Sequence, residues 1–283
     1  MIYNKCNIKK KFVINDAVDG FIPSTASYYW FVFCQDEILL KITKDDQCEV
    51  PEGSDAPVNV SPWNRKHLIA TIGSHSCIAV SVDMVDAPKG YVFYSLRKSY
   101  NVLPYMLYSI AGKAREILYW DKNTQYCGVC GAPMKIQSAI SKRCICCGKE
   151  VWPSLAIAII VLISRDDEVL LVQSRKFKNN YYGLVSGFVE TGENLEQCVI
   201  REVLEETSLE VENLEYVGSQ AWPYPSALMA AFRAKYVKGD LKLQYTELNN
   251  GGWFKWYDLP ALPQEDSIAR KMIDKWVKEQ KSL

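Results

Sequence analysis

Three glutamates, Glu202, Glu205 and Glu206, crowd into the segment 201–207, which reads REVLEET. A helix turns about 100° per residue, so their carboxylates would share a wedge of roughly 100° on one face, where like charges repel. One interpretation is a solvated acidic face. The other is a site for a hard divalent ion, because Mg²⁺ and Mn²⁺ prefer oxygen ligands and keep positions open for water and phosphate.

The neighbours of these glutamates favour the metal site. Leu195 and Cys198 project into the same wedge and Val199 lies at its edge, so the carboxylates continue the apolar stripe that should face the protein. A carboxylate on a buried stripe needs a partner, because burying an unpaired charge is costly. A bound cation would be that partner.

Two CxxC pairs form a second group of potential ligands, Cys127 with Cys130 and Cys144 with Cys147. Four thiolates at this spacing suit tetrahedral Zn²⁺, and the glycine after each pair allows a tight turn that aims backbone amides at the sulfurs. Cys146 is left out, because only Cys144 keeps the two-residue spacing to Cys147. Four protein ligands leave no position for water, so the zinc would be structural. The alternative is a set of reduced cysteines without metal.

Length and composition suit about two globular domains, since the 283 residues are 48% hydrophobic and 23% charged. Lysine plus arginine and aspartate plus glutamate both number 33, so no global positive field gathers nucleic acid. The N-terminus lacks the apolar core of a signal peptide, and the longest apolar run, 155–163, is too short to span a bilayer. These features predict a soluble, cytoplasmic protein without a membrane partner, and ten cysteines fit a reducing compartment.

The elements that must position these groups follow from periodicity. Residues 1–103 predict an α+β domain with one long polar loop at 43–59 and strands at 28–34, 37–42, 77–84 and 90–96. A helix is predicted at 105–120. The second half predicts a mixed α/β domain in which the glutamate helix and a closing helix, 267–280, accompany strands at 155–163, 168–173, 228–237 and 253–257. We therefore expect three domains, 1–120, 121–152 and 153–283.

The glutamates belong to a longer pattern, SGFVETGENLEQCVIREVLEETSL, from Ser186 to Leu209. Gly187 is followed after five residues by Glu193, and after seven more by the segment that carries the three glutamates. This pattern resembles the Nudix box. The box has a glycine where this chain has Ser208, and a serine that ends the helix in a left-handed conformation loses on the order of 1 kcal/mol.

The resemblance implies roles for the box residues. The three helix glutamates would hold Mg²⁺ or Mn²⁺ ions that neutralise a substrate diphosphate and activate a water. The main-chain carbonyl of Ser186 would complete the coordination, and Glu247, otherwise an ordinary surface residue, would add a further catalytic carboxylate. Arg201 and Glu193 are expected to pair with each other and brace the loop.

The segment 219–229, SQAWPYPSALM, interleaves aromatic residues with prolines, which predicts a rigid extended segment; the alternative is an ordinary packed loop. It resembles the motif SQPWPFP-x-S of NADH pyrophosphatases within the Nudix hydrolases, with alanines at 221 and 227 in place of proline and serine. The substrate-binding residues that this motif implies are Gln220, Ala221, Trp222, Pro223, Tyr224, Pro225, Ser226 and Ala227.

The resemblance covers most of residues 104–283 and implies further contacts. Trp152 and Phe188 would stack on flat groups of the substrate, Ala269 would line the nucleotide pocket, and Arg97 would contact substrate. The alternative for the two rings is that both pack the junction between ribbon and catalytic domain. The implied architecture is a Nudix fold, an α/β/α sandwich, preceded by a zinc ribbon and an N-terminal α+β domain.

The implied function is that of a homodimeric Nudix hydrolase which splits the diphosphate of NADH or NAD⁺ into nicotinamide mononucleotide and AMP. Members of the family also remove NAD caps from RNA. One alternative is hydrolysis of another nucleoside diphosphate derivative, such as ADP-ribose. The alternative from another class is a weakly catalytic nucleotide-sensing or nucleic-acid-binding module, because zinc ribbons often bind nucleic acid.

Overall fold

The structure, a computed structural model, describes residues 27–83, 86–175 and 180–282. Contacts divide this part of the chain into two compact units. The first unit contains residues 27–154 and the short segment 223–226, and the second contains 155–222 and 227–282. Among the described residues, no helix combines the length and the apolar character that a membrane crossing needs.

The first unit contains a seven-stranded mixed sheet. Its strands are β1 (Tyr28–Cys34), β2 (Glu37–Ile42), β3 (Cys48–Glu49), β4 (Glu52–Gly53), β5 (Lys66–Ile72), β6 (His75–Val82) and β7 (Tyr91–Ser95). The main order is β3-β2-β1-β6-β5, with β4 paired to β1 and β7 paired to β2. β1 and β6 run parallel, and the other pairs are antiparallel.

The central strand β1 is buried on both faces, because its side chains alternate between two apolar clusters. Phe31 and Phe33 pack with the helix α1 (Tyr105–Asn123), whereas Trp30 and Val32 point to the opposite face of the sheet. A 3₁₀ turn at Lys98–Asn101 leads into α1. The predicted α+β fold class of this region is therefore confirmed.

Two predictions for this unit are corrected. The long loop predicted at 43–59 contains β3 and β4, and β5 was not expected at all. β5 was missed because Lys66, His67 and Thr71 dilute its apolar residues. It is fixed instead by a two-residue hairpin to β6, whose first turn residue, Gly73, has a φ of 61°. Of the strand predicted at 77–84, the last residue lies outside the described part of the chain.

The cysteine pairs lie in a small antiparallel sheet of their own, with the order β10-β9-β8. Its strands are β8 (Met134–Ser138), β9 (Ser141–Cys144) and β10 (Glu150–Val151). A buried ion pair connects this ribbon to α1. The fully buried Lys142 ammonium lies 2.6 Å from an Asp121 carboxylate oxygen and also donates to the main-chain oxygens of Asp121 and Thr124. His67 and Arg65 contact the same carboxylate, so the buried Asp121 charge is paired from several sides.

The second unit contains a six-stranded mixed sheet with the order β14-β15-β11-β12-β16 and β13 paired to β11. β11 and β15 run parallel at its centre. The strands are β11 (Ala156–Arg165), β12 (Glu168–Ser174), β13 (Val185–Phe188), β14 (Glu210–Trp222), β15 (Ala227–Lys238) and β16 (Leu248–Lys255).

Two helices cover the two faces of this sheet, α2 (Leu195–Thr207) and α3 (Ile268–Gln280). β11 is buried on both faces, with Ile159 and Val161 in the cluster under α2, and Ile160 and Leu162 in the cluster under α3. This strand therefore reads as a continuous apolar run. The arrangement is the predicted α/β/α sandwich.

The prediction of one rigid extended segment at 219–229 is wrong, because these residues form a hairpin. β14 ends at Trp222, the chain turns at 223–226, and β15 begins at Ala227, which is the register partner of Trp222. Prolines 223 and 225 cannot donate to a strand ladder, so the pairing ends at Trp222 and Ala227, outside the turn that contains both prolines. β14 itself was not predicted, because three glutamates and three register shifts interrupt its apolar pattern.

Candidate active site

Helix α2, which carries the three glutamates, is fixed at both ends. At its start, Asn194 and Gln197 form a reciprocal capping box with distances of 2.8 and 2.9 Å. At its end, Ser208 has a φ of 59°, so the left-handed conformation expected from the missing glycine is confirmed. The register of the glutamates on the helix is therefore well defined.

Gly187 on β13 explains why the pattern begins with glycine. A Cβ atom at this position would lie 1.8 Å from the carboxyl carbon of Glu202 and 1.9 Å from one of its oxygens. Only a glycine allows this approach, because any side chain would displace the carboxylate. Glu202 therefore lies next to Gly187. The residue before it on the strand is Ser186, and the main-chain carbonyl of Ser186 is a predicted metal ligand.

Arg201 connects the loop before the helix to the glutamates. Its guanidinium donates to both Glu193 oxygens, at 2.6 and 3.0 Å, and to the main-chain oxygen of Phe188 at 3.0 Å. The same guanidinium contacts Glu202 at 2.9 Å and Glu205 at 3.1 Å. Arg201 lowers the pKa of Glu193 to about 2. The predicted pairing of Arg201 with Glu193 is confirmed.

The three helix glutamates differ in exposure. Glu206 is 5% exposed, Glu202 is half-buried and Glu205 is exposed. Burial raises the pKa of Glu202, the Arg201 guanidinium opposes this shift, and the charges of Glu205 and Glu247 add to it. The influence of Glu247 shows that its carboxylate lies within electrostatic reach of the helix.

Backbone hydrogen bonds place Glu247 there. The main-chain N–H groups of Lys242 and Gln244 donate to the oxygens of Thr207 and Glu206, at 3.0 and 2.9 Å, so the loop follows the end of α2. The main-chain N–H of Arg175 donates to the main-chain oxygen of Glu247 at 2.8 Å, and its guanidinium donates to the main-chain oxygen of Tyr245. Sequence reasoning missed Arg175. Its signal was a basic residue directly after a buried strand.

The carboxylates and the Ser186 carbonyl form an all-oxygen donor set, which suits Mg²⁺ or Mn²⁺. Within residues 27–83, 86–175 and 180–282, the four cysteines are the group whose ligand atoms all approach within 4.8 Å, and the glutamates are more widely spread. Arg201 provides positive charge among them. Glu202 beside Gly187, together with the other carboxylates predicted as ligands, fits divalent ions by chemistry and charge.

The four cysteines fit zinc by geometry as well. Their sulfurs lie within 4.8 Å of one another, with cross-knuckle distances of 3.6 and 3.5 Å. The backbone N–H of residue 129 donates to the sulfur of Cys127, and those of residues 147 and 146 donate to the sulfur of Cys144, all at 3.4 Å. The two bonds to Cys144 lower its pKa to about 6. Both turn glycines have a φ of 73°, and Cys146 is exposed outside the cluster. The cluster therefore has the predicted members.

Three of the predicted substrate-binding residues lie on the α3 face of the second sheet. Phe188 is 59% exposed. Neighbouring strands pair Phe188 with Ala158, Ala158 with Met229, and Met229 with Gln220, so these four side chains share one face of the sheet. The Gln220 amide donates to the main-chain oxygen of Asp266 at 2.9 Å and accepts from the main-chain N–H of residue 268 at 2.7 Å. Gln220 thus holds the start of α3, where Ala269 is buried; Ala221 and Trp222 end β14.

The remaining predicted substrate residues belong to the first unit, except the buried Ala227 at the start of β15. The Tyr224 hydroxyl lies 3.1 Å from the Tyr108 hydroxyl of α1, and Ser226 donates to the main-chain oxygen of Ser154. Pro223 is buried and Pro225 is exposed. Trp152 is 54% exposed directly after β10, and Arg97 is exposed before the 3₁₀ turn.

Comparison with known families identifies both units. Residues 153–276 match the family described as the NUDIX domain, and residues 27–120 match the NADH pyrophosphatase-like rudimentary NUDIX domain. The chain therefore belongs to the Nudix family. Within it, the rudimentary first domain and the four-cysteine cluster make the chain a member of the NADH pyrophosphatase type, as the sequence motifs indicated.

Curated relatives agree with this placement. The chain is 45% identical over 168 residues to the NAD-capped RNA hydrolase NudC of Pseudomonas aeruginosa, which covers 59% of this chain and 60% of that protein. It is 41% identical over 170 residues to NudC of Pectobacterium atrosepticum, with 59% and 65% covered. The chain thus spans less than two thirds of these relatives. A solved Nudix hydrolase from Nitrosomonas europaea is 20% identical with a TM-score of 0.46, covering 56% of this chain and 93% of its own.

Proposed function

We propose that the chain hydrolyses the diphosphate of NADH or NAD⁺ to nicotinamide mononucleotide and AMP, and that it also removes NAD caps from RNA. The observation that carries this proposal is the close approach of Glu202 to Gly187. This approach puts a carboxylate next to the residue that follows Ser186, on a strand whose other face offers the exposed Phe188 ring. The names of the relatives, NAD-capped RNA hydrolase, support the choice of diphosphate.

The metal would be held by Glu202, Glu205, Glu206, Glu247 and the Ser186 carbonyl. Bound there, Mg²⁺ or Mn²⁺ would neutralise diphosphate charge and lower the pKa of a bound water. Arg201 keeps Glu202 and Glu205 oriented through its hydrogen bonds to the loop. Arg175 holds the loop that carries Glu247, because it donates to the main-chain oxygens of residues 245 and 247.

Recognition of the dinucleotide would rest on flat and polar groups. Phe188 and Trp152 offer exposed rings for stacking on nucleobase or nicotinamide. Ala269 would line the nucleotide pocket beside the helix start that Gln220 holds. Arg97 and the residues 221–227 would contact the rest of the substrate.

Product analysis after incubation with NADH and Mg²⁺ or Mn²⁺ tests the function. We expect equimolar reduced nicotinamide mononucleotide and AMP, and a higher kcat/KM for NADH than for ADP-ribose. Faster hydrolysis of ADP-ribose would favour the alternative diphosphate. Absence of turnover on every diphosphate would favour a nucleotide-sensing or nucleic-acid-binding module.

We further propose a structural zinc, a homodimer and a division of the chain into three domains. We expect about one structural zinc per chain at the four cysteines, measured by elemental analysis of protein kept from chelators. We also propose a cytoplasmic homodimer, testable by light scattering, and a ribbon domain, 121–152, between domains at 1–120 and 153–283. Folded protein without zinc would contradict the ribbon assignment.

A further inference from the structure

The ribbon carries a local excess of positive charge in a chain whose net charge is zero. Residues 121–152 contain five basic side chains and two acidic ones, Asp121 and Glu150. Of the basic residues, Lys142 is buried and paired with Asp121, whereas the other four are exposed: Lys122, Lys135, Arg143 and Lys149. The excess therefore lies on the ribbon surface.

Two of these cations lie directly opposite each other. Lys135 on β8 and Arg143 on β9 are register partners, so both project from the same face of the small sheet. The neighbouring partners, Ile136 and Lys142, project from the other face, where Lys142 is buried. Like charges directly opposite in a sheet are destabilising. Glu150, on the other side of Arg143, compensates weakly, because its carboxylate lies 3.9 Å from the guanidinium.

Exposed aromatic rings lie in the ribbon as well, and one of them, Trp152, is a predicted substrate contact. Trp152 follows Glu150 by two residues, a chain distance of at most about 7 Å between Cα atoms, and its ring is 54% exposed. The Tyr126 ring, at the start of the ribbon, is 71% exposed. Cations combined with exposed aromatic rings suit single-stranded nucleic acid, whose phosphates and bases they contact respectively.

We propose that the exposed face of the ribbon, defined by Lys135 and Arg143, binds the single-stranded RNA that follows the cap in an NAD-capped substrate. The proposal rests on the proposed function and adds to it the surface that distinguishes capped RNA from the free dinucleotide. The two cations contact backbone phosphates, so binding is independent of sequence and sensitive to salt.

Binding is tested with an uncapped, 3′-labelled single-stranded oligoribonucleotide of about 12 nucleotides, a length within the range of single-strand binding sites. Each phosphate contact contributes about 0.7 to the slope of log affinity against log salt, or about fivefold in affinity at about 0.1 M salt. The variant K135Q/R143Q should therefore bind about 25-fold more weakly, with a slope smaller by about 1.4. The charge-conserving variant K135R/R143K should bind like the parent protein.

The matched control removes two lysines from another sheet. Lys235 and Lys238 on β15 are exposed, but each lies opposite a glutamate, Glu212 and Glu210 respectively. K235Q/K238Q changes the net charge by the same amount and should leave RNA affinity unchanged. An equal loss of affinity in this control would show a general effect of charge and overturn the proposal.

Turnover separates the RNA surface from the catalytic site. K135Q/R143Q should lower kcat/KM for NAD-capped RNA about tenfold or more and leave kcat/KM for NADH unchanged. Equal loss on both substrates, or loss of zinc from the variant, would assign the two cations to the ribbon structure and overturn the proposal. Failure of the parent protein to hydrolyse NADH would instead refute the proposed function, and the binding measurement would still decide the role of the ribbon face.

Discussion

The two large sheets of the chain share one plan. Each is built on a central parallel pair, β1 with β6 and β11 with β15, and each begins with a two-residue hairpin. The hairpins share the register Cys34 to Glu37 and Arg165 to Glu168, and the first turn residue, Gln35 or Asp166, is left-handed in both. The outer strands correspond as well: β7 pairs with β2 as β16 pairs with β12, and β5 with β6 as β14 with β15.

Each sheet has a short strand that pairs with the first strand of its parallel pair, β4 with β1 and β13 with β11. The two sheets differ in the segment that directly follows this short strand. After β13 the second unit forms α2 with its three glutamates, whereas after β4 the first unit continues through residues 54–65 without a helix. Both sheets therefore bury an apolar core, although only the second unit has a helix at this point of the chain. Crowding carboxylates on α2 costs stability by repulsion and burial, so the glutamates are explained by the site, whereas Cys198, Val199 and Val203 of the same helix pack in the core.

Glu206→Gln should produce the largest change, because the amide keeps the shape of the side chain but removes a charge that would hold the metal. A metal supplies several kcal/mol of transition-state stabilisation, so we expect kcat to fall about 10²–10³-fold at saturating Mg²⁺ or Mn²⁺. Circular dichroism and melting temperature should stay near those of the parent protein. Turnover near the parent value would remove Glu206 from the site.

Gly187→Ala should produce the next largest effect. The added methyl group would occupy the position of the Glu202 carboxylate, and a displacement of about 1 Å at a reacting centre can lower the rate about 10²-fold. Gly53 on β4 is the matched control in the first unit, since a Cβ there meets its nearest atom, the Asp55 oxygen, at 3.5 Å. Gly53→Ala should therefore retain activity. Equal activity of both variants would contradict the role of Gly187.

Trp152→Ala and Phe188→Ala test one ring from each unit. Stacked aromatic contacts contribute about 0.5–1.5 kcal/mol beyond area burial, so each variant should lower kcat/KM for NADH by roughly three- to tenfold. ADP-ribose, which lacks the nicotinamide ring, should be affected much less by one of the two changes. Equal impairment on both substrates together with a lower melting temperature would mean that the rings only pack the fold.

The same comparison shows what the sequence could predict. Long apolar runs such as β11, both helices of the second unit and the cysteine spacing were predicted, because local patterns define them. β5 and β14 were not, because tertiary pairing fixes strands whose own pattern is diluted by polar residues. Arg175 was missed for a related reason: its contact with the Glu247 loop joins residues about seventy positions apart.

Glu116 on α1 shows a buried carboxylate in the unit without the glutamate helix. Burial raises its pKa from 4.5 to about 7, and its Oε1 atom has no hydrogen-bond partner among the described residues. The folded state thus favours the protonated form, so this stabilisation is full below about pH 4.5 and is lost as the pH rises through about 7.

Glu116→Gln is neutral at every pH and should therefore stabilise the protein above pH 7, by about 1 kcal/mol because solvent screens the exposed part of the side chain. Near pH 4.5 the variant and the parent should have similar free energies of unfolding in urea. Glu37→Gln, at an exposed position, is the control. A stability difference independent of pH would show that the carboxyl does not titrate between folded and unfolded states as described.

Ser208→Gly should produce the smallest effect, and it acts on the end of α2. Relief of the left-handed conformation gains about 1–2 kcal/mol, but glycine loses about 0.4–1 kcal/mol through the greater freedom of the unfolded chain. The net gain in the free energy of unfolding should therefore be about 0.5–1 kcal/mol. Ser208→Ala keeps the strain and should show no gain, so it separates backbone relief from loss of the hydroxyl. If both variants gained equally, the strain at φ 59° would not be the cause.

Activity is a second readout for the same two variants. The helix register is set by its capped start and by Gly187, so both variants should retain kcat. A loss of kcat in Ser208→Gly alone would mean that this helix end positions Glu206.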